Sequence, residues 1–402
     1  MSTLFRRSFL ASLCILLITI NSDTYTLNPV EITAYKYSHD LLFWEASNIL
    51  SKWTHRIKNY AQLKDFDSDY RNEQLRDYFK LSTEITKIKL NIAKKSASTS
   101  PPYIDISNLE NAISRLQIHR ENMERDVEET LESEIQKVLI DQELNLWGDY
   151  IFPPVDIKLT QIPNLLVTSP RTSIDRSYEL LLKPTITLKQ IENLESELLG
   201  EFDLSALVTP IGGIATYPAS VANYRPLKSI LQTSVHEWLH HYFFFKPLGI
   251  NMFTSKEMQI LNETAADIAG IEIGSIVLSK IEPELANTTN PFNTSQSIFD
   301  YADLMRETRI VVEEFLLDGN IAEAEQYMEK QRQIFVENGF YIRKLNQAYF
   351  AFHGTYANSP MSISPIGEQL KVFRSRFQDV GSFIKEISKV GSYNEFLEVI
   401  DN

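Results

Sequence analysis

Only one cysteine, Cys14, occurs among the 402 residues. It falls inside an N-terminal apolar run, so the rest of the chain carries no thiol, a composition that fits an oxidising exterior without a disulfide framework. Glycine is scarce as well: 13 residues in a chain of this length argue against an all-β or disordered polypeptide. Positive charge is in short supply, with 39 basic against 53 acidic residues, a formal charge of −14 and no basic patch. That balance argues against nucleic acid and anionic membrane surfaces as partners. No activated serine or cysteine is visible, so a covalent intermediate is not expected.

Long hydrophobic runs are also missing. The longest, Phe9 to Ile20, follows Arg6 and Arg7 and suits a signal-peptide core better than a full membrane crossing. Counting Leu4 and Phe5 makes it a marginal signal anchor, and the small-residue cleavage pattern around Thr19 to Ser22 is poor. Residues 1–22 are therefore expected to be a signal peptide or a signal anchor, with the body extracytoplasmic, either secreted or held at a membrane through residues 4–20. Leu13 is too large for a typical lipobox position before Cys14, which argues against a lipid-anchored form.

What is present is more specific. Val235-His236-Glu237-Trp238-Leu239-His240 places two imidazoles four residues apart with a glutamate between them. A helix turns by about 100° per residue, so His236 and His240 point the same way and can meet one ion. Glu237 lies about a quarter-turn away. It is badly placed to be a third ligand but can reach an attacking water and take its proton. The residues around the motif, Val235, Trp238, Leu239 and Tyr242, carry no charge and no proline, as a buried helix requires.

A catalytic zinc needs a third protein ligand and an open position. Leu261-Asn262-Glu263-Thr264-Ala265-Ala266-Asp267 supplies the ligand: Glu263 follows His240 after twenty-two intervening residues, enough for one helix to end near Pro247 and Gly249 and a second to return. Asp267 sits at i+4 from Glu263, placed to accept the second ring N–H of a ligating histidine. The bland alternative is a buried helix with ordinarily bonded histidines and Glu263 in a surface ion pair, which leaves the coincident spacings unexplained.

The pair HEWLH and NETAAD resembles the HExxH and NExxxD signatures of the gluzincin metallopeptidases, the thermolysin-like clan, over residues 205–280. The resemblance implies zinc on His236, His240 and Glu263, Glu237 as general base and proton shuttle, and Asp267 in support of His236. It also implies that the strand before the motif helix is a sheet edge that pairs with extended substrate. Thr209 to Pro218 reads as that short strand, with Gly213, Ile214 and Ala215 as its substrate-binding residues. An ordinary interior strand is the other reading.

A further constellation lies at Asn346, Tyr349, His353 and Tyr356, spaced i, i+3, i+7 and i+10 on one predicted helical face. A tyrosine hydroxyl or histidine N–H aimed at the developing oxyanion stabilises the transition state of amide hydrolysis, and Tyr356, just after Gly354, is the first candidate. The plain reading is that these aromatics pack with Phe350 and Phe352.

The rest of the chain completes an α+β, mainly helical expectation. An N-terminal region, 23–148, contains a helix at 39–58 with Leu42, Ile49, Leu50, Trp53 and Ile57 on one stripe. It continues with helices at 69–95 and Ser107 to Leu146, the latter about 60 Å long at 1.5 Å per residue. The polar break 96–102 makes the last two an antiparallel hairpin, read as a spacer or wall beside the substrate or as a scaffold packed on the core. Residues 149–281 form a zincin-like core in which a small mixed sheet flanks the HExxH helix, with strands at Asn164–Thr168 and Tyr178–Leu182 and a helix at Leu188–Leu199. Residues 282–402 form a C-terminal helical subdomain with helices at 298–317, 320–337, 339–353, 363–378 and 381–399. The expected function is zinc-dependent hydrolysis of a peptide or protein substrate. Two alternatives are a catalytically inactive zinc-binding surface or envelope module with a peptidase-like fold, and a purely structural envelope protein.

Overall fold

A computed structural model describes residues 28–48, 52, 68–96, 103–282, 300–340, 342–355, 359 and 364–401. The apolar run 9–20 and Tyr356 lie outside the described residues, as do Ile49, Leu50, Trp53 and Ile57 of the first predicted stripe.

The chain is a mainly helical α+β protein. Its N-terminal half carries α1 (Pro29–Ala34), α2 (41–48), α3 (Ser68–Ser96), α4 (Tyr103–Asp141) and α5 (Leu188–Phe202). Six short strands lie among the elements up to residue 222: β1 (Ile157–Thr160), β2 (Asn164–Pro170), β3 (Tyr178–Leu182), β4 (Leu204–Pro210), β5 (Gly213–Ile214) and β6 (Ala219–Ala222). Then come α6 (Leu227–Phe243), the single turn α7 (Pro247–Ile250), α8 (Lys256–Ile281), α9 (Tyr301–Leu317) and α10 (Ile321–Glu337). The chain closes with α11 (Gln347–His353), α12 (Ile366–Ser375), α13 (Val380–Ile387) and α14 (Tyr393–Asp401).

The strands make two three-stranded sheets. In the first, ordered β1-β6-β5, β1 runs parallel to β6 and β5 is an antiparallel edge. The second, ordered β3-β2-β4, is wholly antiparallel. Thr209 to Pro218 is therefore not one strand: Thr209 and Pro210 end β4 in the second sheet, while Gly213 and Ile214 form β5 in the first. The break follows from Pro210 and Gly212-Gly213, which supply no ladder N–H and little torsional restraint respectively.

The other edge of the first sheet is covered by side chains of α4. Glu132 accepts from the N–H of Ile157 at 2.9 Å and Glu128 from that of Leu159 at 2.8 Å, while Lys52 donates to the carbonyl of Ile157. A helix thus satisfies a buried strand edge that would otherwise leave its donors unpaired.

One apolar cluster runs from Leu75 and Tyr78 on α3, through Val127, Leu131 and Ile135 on α4, to the buried faces of α6 and α8 and on to Phe396. The long hairpin is thereby a scaffold of the core that holds the motif helix. A second cluster joins α9, α10 and α11.

Several predicted boundaries move. Leu42 is exposed, so the first stripe does not face the core there. The long helix ends at Asp141, before Glu143 turns into the left-handed region at φ 55°. Asn346 caps α11 by accepting from the N–H of Tyr349, so no helix spans 339–353. The segment 381–399 divides into α13 and α14 around Gly391.

Candidate metal centre

Helix α6 follows Pro226, which holds an extended conformation just ahead of Leu227. Its inner face, Val235, Trp238 and Leu239, is fully buried, and the indole of Trp238 donates to the carbonyl of Pro153 at 2.8 Å. Burial of that face turns His236, Glu237 and His240 toward a cleft of about 1150 Å3.

Helix α8 lies directly against α6 because two glycines allow it. A Cβ at Gly274 would fall 2.8 Å from the backbone of Gln232, and one at Gly270 would fall 3.0 to 3.1 Å from Gln232 and His236. This close approach carries Glu263 to the histidines. Nε2 of His236 and Nε2 of His240 stand 3.0 Å apart, with Oε2 of Glu263 at 3.5 and 3.6 Å from them. The three residues could hold a metal ion.

Asn262 fixes the orientation of one ring. Its Oδ1 lies 3.0 Å from Nδ1 of His240, and its Nδ2 donates to the carbonyl of Leu248 at 3.3 Å. Since the amide oxygen accepts, Nδ1 carries the proton and Nε2 presents its lone pair to the cluster. Asn262 belongs to the NETAAD pattern, whose spacing alone assigns it no such role.

Charge in the centre is unbalanced toward the negative. Burial works against protonation of His236, yet Glu263, Glu237 and Asp267 together push its pKa up to about 9. Burial would raise the Glu263 carboxylate, but the two imidazoles hold it well below the usual range. Three carboxylates around two imidazoles make a pocket that takes up positive charge. Asp267, predicted to support His236, lines the same cleft and acts on that ring electrostatically.

Glu237 sits beneath the edge strand. A Cβ at Gly213 would come within 2.5 Å of its Oε1, so glycine is what lets the strand cross the carboxylate. Burial raises the pKa of Glu237 above that of an ordinary carboxylate. Gly213 and Ile214 of β5, and Ala215 just beyond the strand, all line the cleft. The N–H of Ala222 donates to the carbonyl of Gly212. By antiparallel alternation, Gly213 then directs its own N–H and C=O away from β6, along the open edge of the sheet.

The C-terminal aromatics behave differently from the shared catalytic face predicted for them. Tyr349 packs in the α9–α11 cluster, where its hydroxyl meets that of Tyr301, and its ring lies 4.4 Å from that of His353. Neither Tyr349 nor His353 lines the cleft. Burial drives the pKa of His353 down to about 4, so its ring is held neutral. Thr355, one residue before Tyr356, accepts from Arg176 in the cleft wall at 3.1 Å.

Comparison of the chain with protein-family profiles, curated proteins and solved structures returns no significant match. Among the described residues, no helix is long and apolar enough to cross a membrane.

Proposed function

We propose that this protein is a zinc-dependent metallopeptidase of gluzincin type, exported from the cytoplasm, that hydrolyses peptide bonds. The observation that carries the reading is the stacking of three parts in one cleft: the His236, His240 and Glu263 donors, the Glu237 carboxylate, and the open edge of β5 above it.

The donor set fits zinc. Two imidazoles and one carboxylate are a three-ligand catalytic complement, and donors about 2.0–2.1 Å from a shared tetrahedral ion stand about 3.3 Å apart, close to the 3.0 to 3.6 Å seen here. A zinc ion bound there supplies Lewis acidity, polarising the scissile carbonyl and making water acidic enough to be deprotonated near neutral pH.

The chain's own residues do the rest. The outward N–H and C=O of Gly213 hold an extended backbone as an added strand. Glu237, lying between that strand and the histidines, takes the proton from the attacking water and returns it to the leaving amine, and its raised affinity for protons suits both halves of the task. Asn262 keeps His240 in the tautomer that presents Nε2.

Glu237→Gln tests this reading: hydrolysis of a mixed peptide substrate should fall by a factor of about 1,000 or more while bound zinc is retained. Retained hydrolysis would remove Glu237 from the chemistry. A non-hydrolysing zinc-binding module is the second reading, favoured by the absence of Tyr349 and His353 from the cleft lining; zinc binding without cleavage in the unsubstituted chain selects it.

A further inference from the structure

The cleft is chemically lopsided along the axis of α6. Toward the N-terminal end of α6 its walls carry polar groups, Gln232 and Ser229 one and two turns before His236 and Arg225 just ahead of the helix, with Ile271 of α8 among them. One turn after His240 they become aromatic. Phe244 and Phe245 follow the motif helix, Phe253 lies a few residues on, and Phe152 joins them from the loop after α4. Phe152 and Phe245 pack with their rings tilted at 5.2 Å between centroids, and Phe244 meets Phe245 edge to face at the same distance.

These rings are not a displaced piece of core. Phe244 is 68% exposed and Phe253 83%. Exposed aromatic rings gathered in one cleft wall are the kind of apolar surface that marks a binding site. It is also held rigidly from behind. Leu248 is fully buried, its N–H donates to the carbonyl of Ser388, and its own carbonyl accepts from Asn262. Gly249 permits the tight fold-back, since a Cβ there would fall 2.1 Å from the carbonyl of Phe243. Asn262 therefore ties the aromatic seat and His240 to one side chain, fixing the distance between them.

We infer that the cleft accepts polypeptide through an extended segment bearing bulky apolar side chains, seated on Phe152, Phe244, Phe245 and Phe253 to one side of the bond that is cut. The inference rests on the peptidase reading of the cleft. An added strand on β5 supplies register without sequence preference; the aromatic seat supplies the preference. Because four rings, Phe152, Phe244, Phe245 and Phe253, line this end of the cleft, it fits more than one such side chain in succession.

Binding and cleavage are read separately. The full chain carrying Glu237→Gln, with zinc added, is titrated with two fluorescently labelled, end-blocked peptides of equal length, one of Phe, Leu and Ala and one of Ser, Gln and Asn. The apolar peptide is expected to bind about tenfold or more tightly, and Phe245→Ser with Phe253→Ser in the same background to erase that margin while zinc content is kept. Equal binding of the two peptides, or a margin untouched by the double substitution, overturns the inference. Preferential binding without any cleavage by the unsubstituted zinc-loaded chain leaves the apolar seat standing and defeats the peptidase reading instead.

Discussion

Oδ1 of Asn262 lies 3.0 Å from Nδ1 of His240, and the amide nitrogen of the same residue donates to the carbonyl of Leu248. One buried side chain thus sets the tautomer of a histidine in the candidate metal centre and anchors the turn that follows the motif helix. Residues that orient ligating imidazoles in this way contribute about 10- to 100-fold to metal affinity.

Asn262→Ala is accordingly expected to weaken zinc binding by about that factor, measured by competition with a chromophoric chelator. Asp267→Ala should lower affinity in the same range through His236. Unchanged affinity in either variant would remove the supporting role of that residue.

Helix spacing is the second lever. Gly274→Ala places a methyl 2.8 Å from the backbone of Gln232, forcing α8 away from α6 at a cost of about 1–3 kcal/mol. Zinc affinity should fall with it, since Glu263 rides on α8. Gly200→Ala serves as the control: a Cβ there meets nothing within 4 Å, and the helix gains stability or stays unchanged. Thermal unfolding of the two variants, with and without chelator, checks both statements.

The covered edge of the first sheet makes a separate demand. Glu128 accepts from Leu159 and from Lys158 at 2.8 and 2.9 Å in a fully buried position. Glu128→Ala leaves an ammonium and an N–H without that partner and should cost about 3–5 kcal/mol, read as a lowered denaturant midpoint. A variant as stable as the parent would show that the α4 carboxylates do not support β1.

Acid lability is expected from His353. Its folded pKa, about 4, lies below the ordinary histidine value of about 6.5, so the fold favours the neutral ring. The stabilisation is complete above the unfolded pKa and is lost as pH falls through the window between the two values, at about 1.4 kcal/mol per pH unit. His353→Gln should remove about one proton from the pH dependence of unfolding in that window. An unaltered slope would contradict the burial assigned to the ring.

The candidate donor set and its neighbour Asp267 were legible because each helix carries a local spacing: two histidines at i and i+4 on one, then Glu263 and Asp267 one turn apart on the other. That the two helices meet closely enough was not legible from the triad itself; it depends on Gly270 and Gly274, a small-residue pair whose consequence appears only when Gln232 is opposite. The segment 209–218 is not legible as two pieces because nothing local marks Pro210 and Gly212-Gly213 as the point where the chain changes sheet. Tyr349 and His353 do share a helical face, with rings 4.4 Å apart, but that face does not line the cleft. Asn346 begins the helix instead of lying within it, and the short turns that remain pack onto α9 and α10. Side-chain cover of β1 by Glu128 and Glu132 left no local signal, since acidic residues on a long helix read as solvated.

The most direct test is metal analysis of the full chain beside His236→Ala and Glu263→Ala. The account predicts about one zinc per chain in the parent and its loss in each variant, because each residue is one of only three ligands. A parent that retains no zinc when offered it, or variants that keep a full equivalent, would contradict it.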